Sequence, residues 1–589
     1  MGTRGVVTSG HYLATSAGFR IMNQGGNAID AAAAMSFCLN LLEPQSNGIG
    51  GEVPVLIYSA KQEKTFAISG MGWSPKEFTI EWCRDHKIDL IPGDGYLPAC
   101  VPATVDTWAT AVAQFGSMSF AQILQPAIEL AEHGFPVYDR LHQTLSANVQ
   151  KFTEQYPTTG EIYLPHWKPP DVGDILHNPD FANTLKLMCK EEEKNQNKGR
   201  IAAIEAARDV FYKGKIAERI VEFINKYPVE DSTGTEHAGI LSYDDMADWH
   251  AIVEDPITLN YQGLEIHKCP SWTQGPVFLQ QLAILEGYDL NKMGHNSGDY
   301  IHILTESSKL AFADREAYYG DPLFDDVPMD ILLSKNYSAA RRNLIGETAA
   351  EIVHPGDVGQ GIPAYQTLDV RQDNRNSLGI STHQMKNIGH DHAHVGDTTH
   401  LDAVDNQGNM VAATPSGGWI GTSPVIKGLG FPLGTRGQMF YLNPNRPNAL
   451  SPHKRPRATL TPSLVTKKGQ PLLVFGTPGG DCQDQWTLQF FLNYMEFGMN
   501  LQEALDSPSF HSVHFPSSFY PRNSYPKRLI AESNISGKTI EDLKQRGHEV
   551  LLTDAWSNGK VMAIHYDKKT GTISGAVSPK GNIGYAIGW

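Results

Sequence analysis

Cysteine is scarce in this sequence of 589 residues, and the six that occur are scattered: Cys38, Cys83, Cys100, Cys189, Cys269 and Cys482. No two of them form a C-x-x-C pair, the spacing that is typical of zinc sites and redox motifs. Disulfide frameworks belong to short secreted chains that are rich in cysteine, and this chain is neither short nor rich in cysteine. We therefore expect reduced thiols.

Positive charge is also in short supply, with 48 basic residues against 64 acidic ones and a formal net charge of -16. Nucleic acids and anionic membranes are bound by basic patches, so we expect neither as a partner. No stretch reaches the roughly 18 apolar residues of a membrane span, and the N-terminal residues lack the apolar core of a signal peptide. The pattern favours a cytoplasmic protein, although a secreted protein without its leader would look the same.

A phosphate-binding loop is missing as well. The glycine-rich run at 47–51 is not followed by the Lys-Ser/Thr pair of such a loop. Because glycine has no Cβ atom, it lets two backbone segments come close together. We therefore expect a close backbone approach here, near the active site.

Apolar spacing predicts mainly helices before residue 390 and a strand-rich region after residue 398. The helices are expected at 12–23, 28–42, 104–114, 119–131, 138–152, 183–192, 215–227, 275–287 and 298–316, with Asn27 capping the second. Early strands are expected at 53–59, 65–69, 252–259 and 263–268. Later strands at 401–404, 410–414, 463–465, 471–475, 561–566 and 572–577 accompany helices at 485–497, 501–507 and 538–546. Hairpins covered by helices indicate a layered sandwich.

The most informative motif is Asp397-Thr398-Thr399-His400, which lies just before a predicted strand. A threonine hydroxyl is a weak nucleophile unless a base lies beside it. One solution makes the threonine the first residue of a chain, so that its own α-amine is the base. Such an enzyme is made as a precursor that is cut before the threonine. The alternative is that paired threonines are simply good strand residues.

Before this motif, residues 366–395 are polar, rich in Asn, Gly and His, and without a sustained period, which indicates a linker or loop. His390, His392 and His394 alternate there, so in a strand they would share a face and could bind a metal. The alternative is a tail ahead of a cleavage point. A metal-dependent hydrolase built on these histidines is therefore a competing hypothesis.

Several blocks in order resemble the γ-glutamyltranspeptidase (glutathione hydrolase) family: TSGHYLATSAGFRIMNQGGNAIDAAAAM with NGIGGE, GDTTHLDAVDNQGNMVAAT, KRPRATLTPSLV and FGTPGGD. The resemblance spans nearly the whole chain. It implies an α+β fold, the four-layer αββα sandwich of N-terminal-nucleophile hydrolases. It also implies cleavage between Asp397 and Thr398, with fragments 1–397 and 398–589 forming one domain together.

The resemblance assigns Thr398 as the nucleophile, although spacing alone does not separate it from Thr399. Ser416 falls where the family has a second threonine hydroxyl that orients the nucleophile, and a turn residue is the alternative. Gly479 and Gly480 match the family's oxyanion-hole pair, since successive glycine amides after a strand can donate to a developing oxyanion.

Other positions imply substrate contacts. Ala458 and Thr459 fall where the family has two serines that bind the substrate carboxylate, so one hydroxyl is lost. Gln438 precedes the place of the family's acidic grip on the α-amino group, which is occupied here by Phe440 and Tyr441.

The family's arginine that grips the glutamyl carboxylate is also missing, since Gly70-Met71-Gly72 stands in its place. Losing both charge-assisted contacts would weaken recognition of a glutamyl group by roughly 100-fold or more. Arg457 and Arg436 are candidates for a replacement carboxylate clamp, because a guanidinium binds carboxylates in a bidentate manner. Each could also be a structural arginine.

The sequence thus predicts a self-processing amide hydrolase or acyltransferase without a metal or other cofactor, acting on γ-glutamyl or related acyl amides. A cephalosporin-acylase-like or oxamate-type amidohydrolase is the alternative, and a silent binding relative is an alternative of another class. The two fragments are expected to stay associated, and a homodimer is left open.

Overall fold

Two antiparallel β-sheets lie face to face in the computed structural model, which describes residues 1–363, 397–581 and 583–589. The first sheet has seven strands in the order Tyr585–Gly588, Gly5–Ser9, Leu401–Asp405, Met410–Ala413, Val55–Ser59, Lys64–Ile68 and Val253–Glu254. The second has six, in the order Thr572–Val577, Met562–Asp567, Gln470–Gly476, Ser463–Lys467, Leu264–Lys268 and Ile257–Tyr261.

The side chains of each sheet alternate between two apolar layers, as the period of a β-strand requires. Met410 and Ala412 of the first sheet belong to one buried cluster with Val474 of the second, so this cluster fills the space between the sheets. Their neighbour Val411 points the other way, into a cluster formed with helices. Each sheet is therefore buried on both faces.

Helices cover both outer faces. Tyr12–Asn23 and Ala28–Leu42 pack on the first sheet, while Pro276–Leu285 and Gln483–Met495 pack on the second. Every residue of Ala28–Leu42 is buried, because further helices cover its outer side. The remaining helices of eight or more residues are Thr104–Phe115, Phe120–His133, Asp139–Ala147, Pro179–Asn195, Arg200–Tyr212, Lys215–Lys226, Gly298–Tyr318, Lys335–Arg342 and Gly537–Gln545. The predicted αββα sandwich is confirmed.

Most of the predicted elements are present, and the capping residue is correct. The side chain of Asn27 accepts hydrogen bonds from the amides of Ile29 and Asp30, and the Asp30 carboxylate accepts one from the Asn27 amide in return. Such a reciprocal pair satisfies two amides that the helix itself cannot. The local pattern therefore predicted where this helix begins.

Three differences from the prediction are informative. The helix expected at 138–152 is two helices, Asp139–Ala147 and Val149–Glu154, because the backbone at Asn148 leaves the helical conformation. Helix Arg200–Tyr212 was not predicted. Strand Gly5–Ser9 was missed too, because its five residues carry no regular alternation, and all five are buried. A strand buried on both faces lacks the polar-apolar alternation by which strands are recognised.

Elements from both sides of Thr398 are interleaved in the sheets. Leu401–Asp405 pairs with Gly5–Ser9 on one side, and Met410–Ala413 pairs with Val55–Ser59. In the second sheet, Ser463–Lys467 pairs with Leu264–Lys268. Chain segments before and after the predicted cleavage point thus share one hydrogen-bonded core.

All six cysteines are free thiols, as predicted. Among the described helices, none is both long enough and apolar enough to cross a bilayer. The linker expected at 366–395 and the histidines His390, His392 and His394 lie outside the described residues, so the metal hypothesis built on them stays a prediction.

Candidate active site

Thr398 lies in the interior at the end of the first sheet, where its backbone forms an antiparallel bridge with Ser416. The two hydroxyl oxygens are 3.1 Å apart. The Ser416 hydroxyl also donates to the carbonyl oxygen of Asp397 at 3.0 Å, and its oxygen accepts from Arg436 Nη2 at 2.5 Å. A hydroxyl has one proton to donate and two lone pairs. With its proton on the carbonyl, Ser416 can only accept from Thr398, so the Thr398 oxygen keeps its lone pairs.

The carbonyl of Asp397, which belongs to the predicted scissile bond, has a second donor. The indole nitrogen of Trp419 donates to this oxygen at 2.6 Å and also lies 2.9 Å from the carbonyl oxygen of Ser46. The Asp397 side chain accepts the amide N–H of Thr398 at 2.8 Å. Two donors on one carbonyl oxygen, beside a hydroxyl nucleophile, form the arrangement that stabilises a tetrahedral oxyanion.

Arg436 and Glu52 form a buried ion pair beneath this hydroxyl pair. The guanidinium of Arg436 stacks over the Trp419 ring at 4.9 Å. Backbone hydrogen bonds of 2.9 Å run both ways between Glu52 and Ser416. Burial raises the pKa of Glu52, while the Arg436 guanidinium opposes that shift. The pair fixes Ser416 and Trp419 together, so Arg436 acts as a structural support here and not as a free carboxylate clamp.

The glycine run makes this geometry possible. A Cβ atom at Gly48 would come within 2.6 Å of the Gly418 carbonyl oxygen, and one at Gly51 would collide with the Ser416 carbonyl oxygen. Gly417 and Gly418 have φ of 70° and 63°, the left-handed region that favours glycine. The predicted close backbone approach near the active site is confirmed.

A cavity of about 870 Å³ opens beside the scissile bond. Asp397 and Trp419 lie on one side of it, and Gly479, Trp486 and His511 contribute to its wall. The loop after strand Glu549–Thr553 closes the far side with Asp554, Trp556, Ser557, Asn558, Gly559 and Lys560. The cavity is large enough for a small amide substrate.

The charged side chains that line this cavity are Glu43, Asp139, Arg140, Asp397, Asp554 and Lys560. Arg140 Nη2 pairs with the Asp397 carboxylate. Burial would raise the pKa of Asp397, but Arg140 and then Lys560 outweigh it and hold this pKa below its usual value. Burial lowers the pKa of Lys560 to about 8, with a further contribution from Arg140. Burial raises the pKa of Glu43, against the opposing hydrogen bond from Thr399.

The predicted oxyanion pair follows strand Gln470–Gly476. Gly479 and Gly480 have φ of 123° and 53°, and a Cβ atom at Gly479 would collide with the Trp486 ring. Gly480 begins a short 3₁₀ helix, and N–H groups in the first turn of a helix have no partner within that helix. Gly479 lines the same cavity as Asp397. The position suits an oxyanion donor, whereas the role itself stays a prediction.

None of the predicted substrate contacts lines the cavity, although Thr399 is hydrogen-bonded to Glu43, which does line it. The side chain of Gln438 bonds to the Gly93 carbonyl and to the Tyr520 amide. Ala458 is part of the core between the sheets. Thr459 is buried, and its hydroxyl has no hydrogen-bond partner among the described residues. These positions do not line the cavity beside Thr398.

Arg457 is not a free clamp either. Its guanidinium donates to Glu316 at 2.7 Å and to the Arg315 carbonyl at 3.0 Å, within a fully buried cluster. Tyr441, predicted as a substrate contact, donates its hydroxyl to the same Glu316 carboxylate. Arg315 also pairs with Asp481, the residue after Gly480. Arg457 and Tyr441 therefore support the glycine loop from behind, and the structure does not bring them to a substrate.

The segment Gly70-Met71-Gly72, where the resemblance places the family's arginine, is closely packed. A Cβ atom at Gly70 would collide with the Val53 carbonyl, and one at Gly72 with the Val101 carbonyl. Met71 is buried in the core between the sheets. No side chain longer than a hydrogen atom fits at the two glycines without a backbone shift, so this segment offers no cation to a substrate.

Sequence reasoning missed Trp419, Glu52, Arg140 and Lys560. A role for Trp419 could have been predicted, because it follows the hairpin that begins after Thr398 and its indole N–H is a hydrogen-bond donor. Nothing in the sequence predicted a functional role for Arg140 or Lys560, because the residues around them have the pattern of an ordinary helix and an ordinary loop. Their importance follows only from their distance to Asp397.

Within the described ranges, His302, Glu306 and His548 could together hold a metal ion. His302 and His548 are hydrogen-bonded to each other at 2.8 Å, and the Glu306 carboxylate pairs with Lys309 Nζ at 2.6 Å. None of the three lines the cavity beside Thr398. The arrangement is accounted for by neutral histidines and an ion pair.

Comparison with known proteins agrees with this geometry. The family model described as gamma-glutamyltranspeptidase matches residues 14–588. A glutathione hydrolase-like YwrD proenzyme from Bacillus subtilis is 30% identical, over 100% of this chain and 99% of that protein. The solved structure of LmbA2991HD is 40% identical with a TM-score of 0.91, over 100% of this chain and 98% of that one. Cephalosporin acylase from Bacillus halodurans is 28% identical with a TM-score of 0.83, over 100% and 96%.

The matched region contains the second sheet, the first sheet except strand Gly5–Ser9, the Thr398–Ser416 hydroxyl pair and the glycine loop, so the similarity covers the fold and the site together. The resemblance drawn from the sequence is thereby confirmed. The chain belongs to the γ-glutamyltranspeptidase family and is an enzyme of its kind, an N-terminal-nucleophile amide hydrolase or acyltransferase.

Proposed function

We propose that this chain is a precursor that cuts itself between Asp397 and Thr398, and that Thr398 then hydrolyses or transfers the acyl group of a small amide. One observation carries the proposal: the Asp397 carbonyl accepts hydrogen bonds from Ser416 and Trp419 while the Thr398 hydroxyl lies 3.1 Å from Ser416 Oγ. The names of the relatives, a proenzyme among them, point the same way.

Cleavage begins when Thr398 Oγ attacks the Asp397 carbonyl carbon and its proton passes to the Ser416 hydroxyl, which accepts from it. The negative charge that develops on the carbonyl oxygen is met by the Trp419 and Ser416 donors. The C–N bond breaks, and the amide nitrogen of Thr398 takes up the proton. Water then hydrolyses the ester, which returns the hydroxyl to Thr398 and leaves a carboxylate on Asp397.

The released α-amine of Thr398 becomes the base of the mature enzyme. An unperturbed α-amine has a pKa of about 8, so it accepts a proton near neutral pH. It takes the proton of its own hydroxyl as that oxygen attacks a substrate amide. The amine product leaves, and water or an acceptor amine releases the acyl group. Gly479 and Gly480 are proposed to stabilise the oxyanion in this reaction, together with the hydroxyl of Ser416.

The acyl group of the substrate is the next part of the proposal. The relatives named above include a glutathione hydrolase-like protein and a cephalosporin acylase. The segment Gly70-Met71-Gly72 carries no cation in place of the family's glutamyl-binding arginine, and Tyr441 is engaged with Glu316. This favours a carboxylate-bearing acyl amide that lacks the glutamyl zwitterion, with a γ-glutamyl amide as the second candidate.

The test follows cleavage and turnover in purified full-length protein. Intact mass and N-terminal sequencing should find a fragment that begins at Thr398, and Thr398→Ala should stay a single chain. A screen of γ-glutamyl, glutaryl, succinyl and oxalyl anilides should find turnover only in cleaved protein. A fully active preparation with an intact 397–398 bond would disprove the proposal. An uncut chain that turns over none of these amides would support the silent binding relative instead.

A further inference from the structure

The Asp397 carboxylate lies against the two basic side chains of the cavity while the chain is uncut. Arg140 pairs with it directly and Lys560 attracts it, whereas Glu43, Asp139 and Asp554 are the other carboxylates that line the cavity. The Arg140 and Asp397 side chains are 27% and 14% exposed, so water screens this pair only in part. Removing the Asp397 carboxylate leaves Arg140 without this ion-pair partner.

Asp397 has to leave before any substrate can react. Its carbonyl occupies the position beside Thr398 Oγ that a substrate carbonyl must take, between the Ser416 and Trp419 donors. Once the bond is cut, Asp397 also gains a terminal carboxylate, a second negative charge close to the buried Glu43. Both effects favour its departure from the site.

We propose that Arg140 and Lys560 then form the subsite for a carboxylate on the substrate's acyl group, and that Asp397 occupies this subsite as a built-in substitute until the chain is cut. The inference rests on the proposed function, since it takes the same threonine and the same carbonyl position for both reactions. It names the substrate class as amides of short dicarboxylic acids.

The length of the acyl group follows from the bonds of Asp397. Two carbon atoms, Cα and Cβ, separate its backbone carbonyl from its carboxylate. An acyl group that reaches from the Thr398–Ser416 pair to the Arg140 guanidinium in the same way has four carbons, as in a succinyl amide. Oxalyl is too short to reach Arg140 from that carbonyl position, and glutaryl is one carbon longer.

Lys560 extends this subsite from the other fragment. It lies in the loop that closes the far wall of the cavity, and its ammonium interacts electrostatically with Asp397, Glu43 and Arg140. The guanidinium supplies directional hydrogen bonds to the carboxylate, whereas the ammonium supplies a point charge on a flexible stem. Together they prefer an anion over an uncharged acyl chain of equal length.

The experiment uses cleaved full-length enzyme and three p-nitroanilides, succinyl, glutaryl and butanoyl. Butanoyl has the length of succinyl without its carboxylate. We expect kcat/KM for succinyl to exceed that for butanoyl by at least about tenfold, the effect of one charge-assisted hydrogen bond. Arg140→Gln should raise KM for succinyl by roughly 10- to 100-fold and change KM for butanoyl less than about twofold.

Lys560→Gln should act in the same direction with a smaller effect, and Lys427→Gln, an exposed lysine on another surface, should change neither substrate. Because Arg140 also pairs with Asp397, we expect its variant to be cleaved more slowly, so each preparation is first checked for complete cleavage. If Arg140→Gln stays uncut, competitive inhibition of the wild-type enzyme by succinate against butyrate, repeated in Lys560→Gln, decides instead.

The outcomes separate the two proposals. Equal kcat/KM for succinyl and butanoyl, or an Arg140 variant that loses both equally, would overturn the subsite while leaving the threonine mechanism intact. A preference for glutaryl over succinyl would overturn the role of Asp397 as a substitute. Cleaved enzyme that turns over no amide would instead contradict the proposed function.

Discussion

The indole nitrogen of Trp419 lies 2.6 Å from the carbonyl oxygen of Asp397, which belongs to the bond that the proposed reaction breaks. The second donor to this oxygen, Ser416, is fixed by two backbone hydrogen bonds to Glu52. The donors come from one turn that follows the Thr398 hairpin. We therefore propose that these two donors form the oxyanion site of the self-cleavage step, apart from the glycine pair proposed for the mature enzyme.

Replacing Trp419 with phenylalanine should slow self-cleavage. The ring is kept but its N–H is lost, and one oxyanion donor is typically worth a factor of about 100 to 1000 in rate. The rate is measured as the loss of uncut chain on a denaturing gel. Trp486→Phe is the matched control, because Trp486 lines the same cavity and its indole nitrogen has no partner among the described residues. Equal slowing in both variants would contradict a donor role for Trp419.

Ser416 should be replaceable by threonine but not by alanine. Ser416→Ala removes both the donor to the Asp397 carbonyl and the acceptor of the Thr398 proton. We expect cleavage to slow by at least about 100-fold. Ser416→Thr keeps the hydroxyl and should retain most of the rate, as followed by intact mass over time. A rapidly cleaved alanine variant would show that the hydroxyl is dispensable.

Succinate binding to the cleaved enzyme should weaken as pH rises. The pKa of Lys560 is lowered to about 8 in the uncut chain, mainly by burial. The ammonium is charged below that value and neutral above it, so its attraction for a carboxylate is present at low pH and lost at high pH. Departure of Asp397 removes an anion that raises this pKa, so the midpoint in the free enzyme should lie below 8.

The measurement is the inhibition constant of succinate between pH 6 and 9, which should rise across this window by up to about tenfold. Lys560→Arg is the control, because a guanidinium stays charged throughout. Its inhibition constant should rise less over the same window, since only the Thr398 α-amine still titrates there. A wild-type constant without pH dependence would rule out titration of Lys560 in the subsite.

Breaking the Glu52–Arg436 pair should destabilise the protein strongly. Arg436→Met leaves a buried carboxylate without its partner, which typically costs about 3–5 kcal/mol. Urea unfolding is best measured in the Thr398→Ala background, where every molecule is a single uncut chain. Lys64→Met is the control, since Lys64 and Asp255 are 53% and 76% exposed and such pairs contribute about 0–1 kcal/mol. Similar losses in both variants would contradict the buried pair's role.

The two fragments should remain associated after cleavage. Strand Leu401–Asp405 pairs with Gly5–Ser9, and Ser463–Lys467 pairs with Leu264–Lys268, so the sheets cannot be divided without exposing their cores. Native size-exclusion chromatography should give a single peak that contains both fragments, whereas denaturant should separate them. Fragments that separate in native buffer would contradict a shared core.

Much of the fold could be predicted because its signals are local. The apolar period of 28–42 and the Asn27–Asp30 capping pair mark one helix, and the turn at 405–409 marks the hairpin after Thr398. Strand Gly5–Ser9 was not predicted because a strand that is buried on both faces lacks the alternation of polar and apolar residues. The break at Asn148 was not predicted because no glycine or proline marks it in the sequence.

Some residues of the candidate site could likewise be predicted from local sequence, and others could not. Thr398, Ser416 and the glycine loop belong to ordered blocks that a reader of the sequence can recognise. Arg457 was expected to bind substrate, and its neighbours in space, Glu316 and Arg315, are what assign it to a buried cluster. The residues around Arg457 do not predict these partners, because Glu316 and Arg315 lie more than a hundred residues earlier in the chain.

The sequence by itself determined the family, the layered fold and the threonine at which the chain is proposed to be cut, because all three are written in short ordered segments. Only the tertiary structure decided that Arg140, Trp419 and Lys560 converge on Asp397. Arg140 and Asp397 are 257 positions apart in the chain. Charges separated in this way meet only when the folded core brings their segments together, and it is this contact that points to the acyl group.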